Sequence, residues 1–173
     1  MNRRELCAGL AILAGTSAAA AHTPYGQWVV YRKKHLLIGA HRAESVTYEL
    51  AQKLVAVLAK HLPKAKSRIA RATTAGRLAS LIGTDQLDVA VLSEADAVGM
   101  LKGHEQFSAY GQIELRLLAR INAHLLVAHE RFPAKHAWLV AAALHASGIV
   151  DRSNESAGLE VPWHPGSLAH NEG

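Results

Sequence analysis

Five hydroxyl side chains follow apolar runs at the points where helices are expected to begin: Ser45, Thr47, Thr73, Thr74 and Ser93. His41, Arg42 and Tyr48 stand beside them in the chain. Together these groups suit an anion. Hydroxyls donate to a carboxylate, a guanidinium grips it through a planar fork, and helix starts add N–H groups with no intrahelical partner. The same hydroxyls also suit helix capping, which needs the same residue types at the same places. Arg42 equally suits a solvated surface, the default for a lone charge. These residues define a candidate ligand face whose purpose stays open between binding and capping.

Histidine is the second source of chemistry, at 11 residues in 173. The spacing gives no H-E-x-x-H pair, and a single cysteine excludes a Cys/His finger. His22 is the pointed case. Cleavage after Ala21 would make it the first residue, and an amino group plus imidazole on one residue can chelate copper. His41, His35, His164 or His170 could supply a second imidazole, a ligand that suits copper. The plainer reading of His22 is an ordinary processed terminus. Copper is the one cofactor this pattern suggests. No nucleophile elbow or Ser-His-Asp order is present, and nothing pairs an acid with a base, so the expectation is a protein that is not an enzyme.

These residues need a scaffold, and the chain opens with a segment outside it. Arg3 and Arg4, the apolar run Leu6 to Ala14 and the small residues up to Ala21 have the layout of a secretory signal, with Ala19-Ala20-Ala21 as an A-x-A site. The apolar run is too short to span a bilayer. Arg3-Arg4 also fits the twin-arginine route. Cys7 has no lipobox around it, which argues against a lipid anchor. Export to the periplasm with cleavage after Ala21 is expected, leaving 152 residues with 17 of the 19 basic and 13 of the 14 acidic side chains. The net charge of +4 is scattered, without the clustering that nucleic-acid binding needs. It suits solubility and an anionic ligand.

The mature chain then alternates. Apolar runs at Leu36–Ala40, Ser67–Ala72 and Leu87–Leu92 read as buried strands. Between and after them come helices opened by Thr47, Thr74 and Ser93, the last with Asp96 three positions on. Leu115–Ile121 and His124–His129, joined by Asn122-Ala123, fit a tight hairpin or two strands linked through the sheet. Pro133 begins a last helix that Gly148 stops. The pattern predicts one α/β domain over 22–150, mostly parallel in its sheet, with the loops after the first three strands as its ligand face. Residues 151–173 show no periodicity and read as a mobile tail. Within the tail, Val161-Pro162-Trp163-His164-Pro165-Gly166 can dock in a partner's groove or stay solvated.

The same loops carry a resemblance. Gly39, Tyr48, Thr73-Thr74-Ala75-Gly76 and Leu87-Asp88-Val89-Ala90-Val91, in this order and spacing, resemble the N-terminal lobe of TAXI-type receptors, the periplasmic solute-binding proteins of tripartite ATP-independent transporters. The resemblance covers about residues 35–130. It implies a single lobe of a type II periplasmic-binding-protein-like fold and capture of a small molecule by His41, Arg42, Ser45, Thr47, Tyr48, Thr73, Thr74 and Ser93. Two departures stand out. Ala40-His41-Arg42 replaces the family's Gly-Gly, and His124–Leu144 passes straight from a strand to a helix where a second lobe would begin. A small organic anion is the expected ligand. A membrane transporter subunit or a second copy of the chain is the expected supplier of the other wall, and an accessory role in a larger complex is the further alternative.

Overall fold

The computed structural model describes residues 33–150 and 158–171. Five strands form one sheet: β1 (Leu37–His41), β2 (Arg68–Ala72), β3 (Val89–Ser93), β4 (Leu115–Ile121) and β5 (His124–His129). The helices are α1 (Ser45–His61), α2 (Ala75–Gly83), α3 (Glu94–Lys102), α4 (Ala134–Ala146) and α5 (Pro165–Asn171). Strand order is β2-β1-β3-β5-β4. β1 runs parallel to β2, in register from Leu37↔Arg68 to His41↔Ala72, and parallel to β3. β5 is antiparallel to both β3 and β4. The expectation of a mostly parallel sheet therefore holds for β1–β3 and gives way to a mixed sheet overall.

The central strands are apolar on both faces because both are covered. Val89 and Val91 of β3 join Ile38, Leu54, Leu58, Val140 and Leu144 beneath α1 and α4. Ala90 and Leu92 point the other way, into a cluster with Leu78, Ile82, Met100 and Phe107 beneath α2 and α3. This is the period of two of a pleated strand. Each large side chain so buried stabilises the fold by about 1.5–3 kcal/mol relative to exposure. β2 is an edge strand, and its exposed Arg68 and Arg71 guard that edge against pairing with another chain.

The two crossovers set the geometry of the ends. The path β1–α1–β2 moves to one side of β1, and β2–α2–β3 returns past it to the other. The loops leaving β1 and β3 therefore diverge to opposite faces, which is a topological switch point. Beyond β3 the chain turns at Gly103, whose φ of +63° is left-handed. A Cβ there would lie 2.8 Å from the Gly111 backbone, so no larger residue fits that turn. The hairpin alternative is the one found for β4 and β5. Asn122 takes the left-handed φ of +55° and Ile121 pairs with His124 across a two-residue turn. A bulge between Leu117 and Ala119 explains why Leu117, Leu118 and Ala119 are buried in succession.

The tail differs from expectation. Residues 158–171 pack on the domain instead of forming a mobile end. Leu117 N–H donates to Pro162 O, and His164 N–H donates to Leu117 O, both at 2.8 Å. This short parallel bridge covers β4, the other edge of the sheet. Lys102 pairs with Glu160, Val161 is buried, and α5 lies against α4. Trp163 and its neighbouring prolines dock on the protein's own sheet edge. Apolar periodicity could not reveal this, because the contacts are backbone bonds to a strand some 45 residues earlier.

Candidate functional site

The carboxyl ends of β1, β2 and β3 share one edge of the sheet, and the β4–β5 turn joins them there, since Ser93 pairs with His124. His41, Arg42, Ser45, Thr73, Thr74 and Ser93 are therefore brought to one rim, with Tyr48 one helical turn in. Arg42, Ser45, Thr73 and Thr74 are exposed there, and His41, Tyr48 and Ser93 are half-buried. Two bonds knit the loops. Arg42 N–H donates to Ala72 O at 2.9 Å, and His41 Nε2 donates to the Thr73 carbonyl at 3.0 Å.

The hydroxyls divide into two groups. Thr74 Oγ1 accepts from Arg77 N–H at 3.0 Å and caps α2. Ser93 Oγ accepts from Asp96 N–H at 3.2 Å and caps α3. Such caps contribute about 1 kcal/mol each. For these two residues capping is the observed role. α1 is different. Its N-cap is Glu44, which makes no side-chain cap bond. Thr47, expected as the cap, sits inside the first turn, is fully buried, and its Oγ1 has no hydrogen-bond partner. Burial removes Thr47 from the exposed ligand face. Every helix start leaves N–H groups without intrahelical partners; those of α2 and α3 receive a hydroxyl, and those of α1 receive none.

Charge on the rim is partly self-paired. Glu44 lies 3.9 Å from His124 Nε2, and Glu94 lies 3.7 Å from Arg120, whose Nε also donates to Asn122 O. Arg71 stacks on Tyr48, 5.8 Å from the ring centroid, within the range of a cation–π contact. Tyr110 leans over Gly76, where a Cβ would meet its Oη at 2.9 Å. Sequence reasoning placed Glu94 at the end of the third strand but missed Glu44, Arg71, Tyr110, Arg120 and His124. Arg71 was recoverable, as the residue two before Thr73 at the end of a strand. The hairpin residues were not, because their place depends on β5 inserting antiparallel beside β3.

His22, the proposed metal-binding terminus, lies outside the described residues. His41 already uses Nε2 on Thr73. Among the described residues, no group of three or more His, Cys, Asp or Glu side chains is placed to hold a metal ion. No protein-family model matches this chain, and no curated protein matches it.

Proposed function

We propose that this protein is a small-molecule binding module for an organic anion, acting in the periplasm as a single-lobe counterpart of the TAXI-type receptors its sequence resembles. One observation carries the reading. The switch point between β1 and β3 sets the uncapped start of α1 beside the exposed Arg42 and Ser45. Ligands of open α/β sheets bind outside the carboxyl ends of the strands at such a point. A carboxylate would take the N–H groups of the first turn of α1 and the Arg42 fork, which no cap or ion pair among the described residues occupies. The mixed α/β sheet flanked by helices is the coarse architecture that the proposed type II binding-protein lobe requires.

An exposed rim excludes little water, so binding to it alone is weak. A transporter subunit or a second copy of the chain would close over it and supply the opposing wall. Thermal shift against short mono- and dicarboxylates tests the reading. Stabilisation by at least one, abolished in Arg42→Ala, is expected. A set without any stabilising compound, or stabilisation that persists in Arg42→Ala, removes the rim as ligand face.

A further inference from the structure

We propose that a cleft at the opposite edge of the sheet, where β1, β2 and β3 begin, is a second binding site and takes a small amphipathic anion, a carboxylate head on a short apolar tail. The cleft has a volume of about 430 Å³, within the range of about 300–1,000 Å³ usual for small-ligand sites. Its walls come from five separate places: the lead into β1, the end of α1, the turn before β2, the first residue before β3, and the start of α4.

The lining has two chemistries. Leu62, Leu139, Val140 and Phe132 are half-buried or buried and form an apolar body. Lys33, Lys34 and Lys64 are exposed around it, against a single carboxylate, Asp88. Three ammonium groups facing one carboxylate leave the cleft positive, and lysine stems extend its apolar wall while the heads stay in water. Apolar walls reward a hydrocarbon tail, and a cationic perimeter selects a negative head over a positive one. Asp88 is the one lining carboxylate set against these lysines; burial pushes its pKa up, against the opposing pull of His129 and His136. The Asp88 carbonyl accepts from His129 N–H at 2.8 Å, which fixes the residue at the β3–β5 junction.

The site is independent of the rim. It lies at the other end of every strand and shares no residue with it. Octanoate is the probe, with octylammonium and acetate as the charge-reversed and tail-less controls, titrated into the isotope-labelled full chain and followed by amide NMR. Saturable octanoate shifts at Leu62, Leu139 and Val140 are expected, with neither control matching them. Lys33→Glu combined with Lys64→Glu, both surface changes, should weaken octanoate about tenfold, and Arg42→Ala should leave it unchanged. Equal binding of octylammonium, or octanoate binding indifferent to the double charge reversal, overturns the proposal. So does the lack of saturation. Shifts that fall on the rim and vanish in Arg42→Ala also overturn it, while leaving the rim reading intact.

Discussion

The buried imidazole of His164 joins α5 to the body of the protein through Phe132: Nε2 donates to the Phe132 carbonyl at 2.8 Å, and Nδ1 accepts from Gly166 N–H at 3.1 Å. The Gly166 bond needs the neutral ring, since only an unprotonated Nδ1 accepts; the Nε2 donation to Phe132 is open to either form. Burial lowers the His164 pKa below the ordinary histidine value; the Phe132 bond opposes this and Arg116 adds to it. The folded state thus binds a proton less readily than the unfolded chain. The His164 contribution is fully present above the unfolded pKa of about 6.5 and is lost as pH falls through the lower folded value. Thermal midpoints measured from pH 8 to pH 5 should fall more steeply for the native chain than for His164→Gln. Parallel curves would separate His164 from the acid response.

Gly166 tests the same attachment by shape. A Cβ on it would lie 2.0 Å from the Ala134 carbonyl oxygen, a rigid backbone group at the start of α4. Gly166→Ala should therefore displace α5 and cost about 1–3 kcal/mol, with the fluorescence of Trp163, read in a Trp28→Phe, Trp138→Phe background, shifting to the red as the tail loosens. Denaturant titration followed at that fluorophore reads both. Unchanged stability would mean that α5 is not held against α4 as described.

How far the sequence could foresee this depends on the range of the contacts. β1, β3 and the caps Thr74 and Ser93 were readable because each follows from local residue type and spacing. Thr47 was misread because Glu44, Ser45 and Thr47 all fall where a helix can start, and propensity alone does not fix the turn. The packed tail was invisible, since His164 finds Phe132 and Gly166 finds Ala134 about 32 residues away, with no periodicity to betray either. Arg120 and His124 joined the rim only through the antiparallel register of β5.

The three helix starts should respond differently to loss of a hydroxyl. Thr74→Ala and Ser93→Ala each remove an observed cap bond and should cost about 1 kcal/mol. Ser45→Ala removes none and should leave stability within about 0.5 kcal/mol. Urea unfolding of the three variants decides between these values. An equal loss in Ser45→Ala would show that the α1 start is capped after all.

Thr47 offers a sharper case. Its hydroxyl is buried without a partner, a condition that costs about 1–3 kcal/mol. Thr47→Val keeps the β-branched shape and removes the unpaired oxygen. Stability should be unchanged or raised by up to about 1 kcal/mol. A clear loss, measured by the same unfolding, would mean that the hydroxyl is satisfied in solution.

The reading of the rim rests on Arg42 and the uncapped start of α1 acting together on a carboxylate. Isothermal titration of the best carboxylate from the thermal-shift series into the native chain, Arg42→Ala and Thr74→Ala measures this most directly. Binding should be lost in Arg42→Ala and retained in Thr74→Ala, whose hydroxyl is already committed to its own helix. Equal affinity in the native chain and Arg42→Ala would contradict the account.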